Sequence, residues 1–99
     1  MIEVWWEYEV MPESTAEFVR NYAANGTWAQ LFRRDPAHHG TVLLRDAANP
    51  LRFATRDLWD SRAAYDAFRA RHADEYERVD AACDLLTASE RLIGIFEVD

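Results

Sequence analysis

Residues 53–68 read F-A-T-R-D-L-W-D-S-R-A-A-Y-D-A-F, and the period of the pattern changes part-way along. Phe53, Thr55, Asp57 and Trp59 alternate with Ala54, Arg56 and Leu58, the two-residue repeat of a strand. Ser61 can then cap a helix, because its side-chain oxygen accepts from an orphan N–H of the first turn. Beyond it Ala64, Tyr65 and Phe68 share one helical face. The short turn at Asp60-Ser61 therefore brings a strand-end tryptophan to the same end of a sheet as a helical tyrosine.

Outward from this segment the same two periods recur. I-E-V-W-W-E-Y-E-V, residues 2–10, puts Ile2, Val4, Trp6, Tyr8 and Val10 on one strand face, with Glu3, Trp5, Glu7 and Glu9 on the other. Pro12 to Thr15 reads as a turn and helix start, followed by the stripe Phe18, Val19, Tyr22 and Ala23. Asn25-Gly26 is expected to stop that helix through residues that tolerate positive φ. Thr27 is expected to cap a further piece that ends by Arg34 and carries Trp28, Leu31 and Phe32. Asp35-Pro36 breaks the pattern, and His38, His39 and Gly40 fall in the expected loop. A second strand is expected at Thr41 to Arg45, a turn at Asp46 to Pro50, and the third strand at Arg52 to Trp59. After the helix from Ser61 to His72, Asp74 is expected to cap another, with Tyr76, Val79, Cys83 and Leu86 on one face. The last strand is expected at Arg91 to Val98. The order β-α-β-β-α-β over residues 1–99 predicts one α+β domain: a ferredoxin-like sandwich with helices on one face of a four-stranded antiparallel sheet.

A sheet covered on one side should be polar on the other. The second and fourth strands are not: Val42 and Leu44 oppose Leu43, while Leu92, Phe96 and Val98 oppose Ile93 and Ile95. Trp5 joins the otherwise polar face of the first strand. The simplest cover is the same sheet of a second subunit, so a homodimer is expected.

Composition excludes several classes. A formal net charge of −7 opposes binding to nucleic acid or anionic membranes. No stretch approaches the roughly 18–20 apolar residues of a membrane span. The start, M-I-E-V-W-W-E, has no basic, then apolar, leader pattern. Cys83, the single cysteine, lies on an apolar helical face and reads as a small buried hydrophobe in a reducing cytoplasm.

W-E-Y at Trp6 to Tyr8, G-T-V-L-L at Gly40 to Leu44, and D-L-W-D-S-R-A-A-Y-D-A-F at Asp57 to Phe68 resemble the antibiotic biosynthesis monooxygenase-like family of dimeric α+β barrel proteins. The resemblance spans nearly the whole chain. It implies either a small oxygenase that works on planar aromatic compounds without a cofactor, or a non-catalytic ligand-binding or structural module of the same fold. Cofactor-free oxygenases of the family often have asparagine four residues before the strand-end tryptophan; Thr55 stands there. The second tryptophan and the histidine of haem-degrading members are replaced by Phe68 and Arg78, which argues against that activity.

Four tryptophans are about three times ordinary usage, and they are expected either to pack the core or to wall an aromatic pocket. Trp28, Trp59, Tyr22, Tyr65, Phe68 and Phe32 come from the helix–sheet side, where this fold keeps its cavity, and are the candidates to enclose a small aromatic ligand. Within that pocket Trp59 would stack the ligand and Thr55 would hydrogen-bond it. His72 continues the face of Tyr65 and Phe68 and is the first candidate for a general base; Asp57, on the strand face of Thr55 and Trp59, is the second. The corresponding structural roles are a helix-terminal cap for His72 and a buried ion pair for Asp57. His38-His39 lacks the further ligands that a metal site needs, and no metal is expected. There is no phosphate loop, no nucleophile motif and no basic stripe.

Overall fold

Strand β1 (Ile2–Val10) buries Ile2, Val4, Tyr8 and Val10, and half-buries Trp6, as its alternation requires. The computed structural model describes all 99 residues. After a 3-10 turn at Pro12–Ser14 come helices α1 (Thr15–Tyr22) and α2 (Thr27–Phe32), then strands β2 (His38–Arg45) and β3 (Arg52–Trp59). Helices α3 (Arg62–Arg71) and α4 (Ala73–Cys83) follow, and strand β4 (Thr87–Glu97) ends the fold. The sheet order is β2-β3-β1-β4 with every pair antiparallel, the ferredoxin-like arrangement expected from the sequence. One core of Ile2, Val4, Tyr8, Val10 and Phe53 from the sheet and Phe18, Leu31, Phe32 and Phe68 from the helices joins the two layers. No helix is long and apolar enough to cross a membrane.

Local chemistry explains where the elements start and stop. Ser61 caps α3 as expected, its Oγ accepting from the Ala64 N–H at 3.1 Å. Other boundaries differ. Gly26, not Thr27, occupies the N-cap of α2, and the Thr27 hydroxyl donates instead to Asn21 at 2.8 Å. His72 holds the N-cap position of α4, leaving Asp74 inside the first turn. Neither Asn25 nor Gly26 adopts a positive φ; α1 ends because Ala23 turns to extended backbone. Gly26 is needed for closeness: a Cβ there would lie 2.6 Å from the Arg20 carbonyl oxygen and 2.7 Å from that of Asn21. Backbone cannot yield as a side chain can, so Gly26→Ala is expected to destabilise by about 3 kcal/mol, read as a lower urea midpoint.

Two strands carry bulges that alternation alone does not reveal. In β2, His38 pairs with Trp59 and Gly40 with Leu58, so His39 is an extra residue, and Gly40 takes φ 136°. The strand thus starts at His38, three residues earlier than expected, and His38 and Thr41 both face the helices. In β4, Trp5 pairs with Gly94 and Trp6 with Leu92, leaving Ile93 as the extra residue. The parity flips there. Leu92 and Ile95 lie on the helix side, with Ile95 packed on the core, whereas Ile93 and Phe96 lie on the outer side. The expected grouping of Leu92 with Phe96, and of Ile93 with Ile95, is corrected accordingly. The outer face stays apolar: Val42, Leu44, Ile93 and Phe96 are exposed, and Trp5 meets Phe96 edge-on at 6.1 Å. Between them Glu7 bonds to Arg91 and Arg52, which hold its carboxyl below the usual range.

Cys83 is buried in the core, and burial pushes its thiol above the ordinary pKa. The thiolate is the reactive form, so a native-state thiol reagent is expected to label it only at the rate of unfolding. Cys83→Ala is expected to cost about 1 kcal/mol. Labelling within seconds in buffer is the opposite outcome.

Candidate functional site

A cavity of about 350 Å³ lies between the inner face of the sheet and the helices. From the sheet, Val4, Trp6, Tyr8, Thr41, Thr55, Asp57, Glu90 and Leu92 line it; from the helices, Tyr22, Trp28, Phe32, Tyr65, Arg69, Tyr76 and Asp80 do. Strand register places the sheet residues. Val4 pairs with Asp57 and Trp6 with Thr55 across β1 and β3, and Thr41 pairs with Asp57 across β2 and β3. Seven aromatic rings make the wall chiefly apolar. They also support one another: Trp28 meets Tyr76 edge-on at 4.8 Å and packs on Phe32 at 5.8 Å.

The polar groups of the wall fall into two sets. One is buried. Thr55 Oγ1 and Tyr8 OH share a hydrogen bond of 3.1 Å, and burial pushes the Tyr8 hydroxyl well above its ordinary pKa, so it remains a neutral phenol. Asp57 is buried, and its Oδ1 accepts from the Thr41 hydroxyl and from His38 Nε2 at 3.0 Å. Both protein bonds to this carboxylate end on Oδ1. Oδ2 has no protein partner and is not sealed in, so it is the oxygen open to the cavity. The second set is more open. Arg69 donates to the Tyr65 hydroxyl at 2.9 Å and lies 3.9 Å over the Tyr76 ring. Nearby, burial and then the charges of Asp80 and Asp84 raise the Glu90 carboxyl above its usual range. Tyr22 and Tyr76 are likewise raised by burial and stay neutral.

Of the residues singled out in the sequence, Tyr22, Trp28, Phe32, Thr55, Asp57 and Tyr65 meet at this cavity. Trp59, Phe68 and His72 do not line it. Trp59 is fully buried behind the wall, its ring packed on His38, Phe68, Tyr65 and Phe32 at 5.0 to 5.6 Å. Phe68 is equally buried beneath α3. His72 sits where α3 gives way to α4, with its ring on Phe68 at 4.7 Å and Nδ1 3.4 Å from Glu75. The chain leaves the α3 helical path at His72, so the spacing that links it to Tyr65 no longer aims it inward. His38, Thr41, Tyr8 and Arg69 were not singled out for the pocket. Gly40, a glycine within a strand pattern, is the signal that could have drawn attention to the first two. No group of three or more His, Cys, Asp or Glu side chains is gathered as for a metal ion.

Solved structures with this architecture include SnoaB, a cofactor-independent oxygenase from Streptomyces nogalater, which is 19% identical with a TM-score of 0.81 over 99% of this chain and 92% of that one. A Deinococcus radiodurans protein provisionally classed as an antibiotic biosynthesis monooxygenase is 16% identical, with a TM-score of 0.81 over 100% of this chain and 93% of that one. A conserved protein from Methanosarcina mazei is 14% identical, with a TM-score of 0.75 over 99% and 92%. At these identities the likeness establishes the fold. A search of curated proteins finds no match. The model of the family described as antibiotic biosynthesis monooxygenase matches residues 1–79. Strands β1 to β3, the helices up to the middle of α4 and all of the cavity wall except Asp80, Glu90 and Leu92 lie within that match, and the chain belongs to the antibiotic biosynthesis monooxygenase family.

Proposed function

We propose that the protein is an oxygenase that needs no cofactor and acts on a small planar aromatic compound held in the cavity. The observation that carries this reading is a carboxylate oxygen, Asp57 Oδ2, open to an enclosure walled by seven aromatic rings. The rings would stack the ligand and exclude water. Asp57 takes the role of base, since His72 does not reach the cavity. Proton transfer to Oδ2 leaves an electron pair on the substrate. That anion can give an electron to dioxygen, and recombination forms a C–O bond. Return of the proton from Asp57 gives a hydroperoxide; loss of water from it leaves a carbonyl. Tyr8 and Thr55 share one hydrogen bond, so one hydroxyl proton of the pair is left to donate to the developing oxyanion, while Thr41 already donates to Asp57 and holds the carboxylate.

The other reading is a ligand-binding module without chemistry. It is favoured by Thr55, whose hydroxyl is already engaged with Tyr8. Tryptophan fluorescence titrated with anthrone and 2-hydroxyanthraquinone, followed by oxygen uptake with anthrone, separates the two. Quenching with uptake that is lost in Asp57→Asn supports the oxygenase; quenching without uptake supports the module. Quenching by neither compound removes the aromatic-ligand reading. The unit is proposed to be a homodimer joined through the apolar outer face of the sheet, the α+β barrel implied by the family resemblance. A reducing, cytoplasmic setting fits its single buried cysteine.

A further inference from the structure

We propose that His38 is a positioning residue that fixes which oxygen of Asp57 meets the ligand, and that the ligand is recognised by a hydroxyl group donated to Asp57 Oδ2. The proposal rests on the reading of the cavity as a site for planar aromatic compounds. Four observations carry it. In a regular strand His38 and Thr41, three residues apart, would lie on opposite faces. The bulge at His39, with Gly40 at φ 136°, brings both to the inner face, and both bond to the same oxygen of Asp57. The imidazole is held between the rings of Phe32 at 5.4 Å and Trp59 at 5.0 Å, so its plane is set by packing. Its side chain is 1% exposed, and Nδ1 has no hydrogen-bond partner.

That last point assigns the tautomer. A proton on Nδ1 would be a buried donor with nothing to accept it, whereas a proton on Nε2 faces Oδ1. Nε2–H and the Thr41 hydroxyl therefore both donate to Oδ1. The carboxylate is held at one oxygen, and the lone pairs of the other are left for the cavity. A histidine serving packing alone would be matched by an apolar side chain of similar size. A histidine that aims a carboxylate would not. When the ligand hydroxyl gives up its proton, its O–H bond breaks, an O–H bond forms at Oδ2, and the electron pair stays on the ligand oxygen.

The test compares 2-hydroxyanthraquinone with anthraquinone, which lacks the hydroxyl, by quenching of tryptophan fluorescence in wild type, His38→Gln and His38→Leu, each checked for folding by circular dichroism. A hydrogen bond to a charged group predicts that wild type prefers the hydroxylated compound by about tenfold. In His38→Leu the preference should fall below about twofold while anthraquinone itself binds as in wild type, an outcome that loss of packing would not produce. His38→Gln, which offers an amide N–H toward Oδ1, should keep most of it. A tenfold preference surviving in His38→Leu, or wild type binding both compounds equally, overturns the positioning role and leaves the aromatic site standing. Binding of neither compound overturns both. Should His38→Leu not fold, the imidazole nitrogen spectrum of the wild type decides: a proton on Nε2 that is perturbed in Asp57→Asn supports the proposal, and a proton on Nδ1 overturns it.

Discussion

Replacing Trp59 with alanine is expected to remove about 4 kcal/mol of stability, a large share of what a domain of this size possesses. Trp59 is 0% exposed and touches four rings, Phe32, His38, Tyr65 and Phe68. Those neighbours come from α2, β2 and α3, so a void at this point loosens three elements together. The indole N–H has no hydrogen-bond partner. Trp59→Phe therefore gives up ring volume and no bond, and about 1–2 kcal/mol is expected. Urea denaturation of the pair measures both, with the slope unchanged if only the folded state is affected. A Trp59→Ala protein within 1 kcal/mol of wild type would show that the site is not part of the core.

The second large effect concerns neighbouring residues of β4 that face opposite ways. Phe96 lies on the outer face and is exposed, whereas Ile95 packs on the core. Phe96→Asp is expected to leave a folded monomer at low micromolar concentration where wild type sediments as a dimer, because an interface of roughly 2,000 Å² does not absorb an unpaired charge on each subunit. Ile95→Asp is expected to fail to fold, since the same charge would sit inside the helix–sheet layer at a cost of about 3–5 kcal/mol. A wild type that sediments as a folded monomer, or a Phe96→Asp protein that stays dimeric, removes the outer face as the interface. A folded Ile95→Asp protein would mean that Ile95 faces outward and not into the helix–sheet layer.

Much of the fold was legible because its elements are long and strongly periodic. β1, β3 and α3 follow from alternation, helical spacing and the Ser61 cap without appeal to distant contacts. What was not legible arises where one residue breaks the period. His39 and Ile93 are single extra residues, and each shifts everything beyond it to the other face. In both strands a glycine, Gly40 or Gly94, follows directly. The same break hid the partner of Asp57. Alternation correctly put Asp57 inside and in need of a partner, but it left His38 in a loop. His72 failed for the opposite reason: helical spacing was carried one residue past the end of the helix, where it no longer sets direction.

The bulges have a further consequence, at the rims of the sheet. β2 and β4 are the two edge strands, and each is kinked by at least one unpaired residue. A bulged, twisted rim is a poor template for another strand to zip onto in register. Growth of the sheet sideways, the route to open-ended fibres, is thereby obstructed, while its broad apolar face remains available. Association through such a face, with two copies using the same patch, satisfies both at once and then stops. The irregularities that gather His38 and Thr41 around Asp57 and turn Leu92 toward the cavity thus also favour a closed, countable assembly over an endless one.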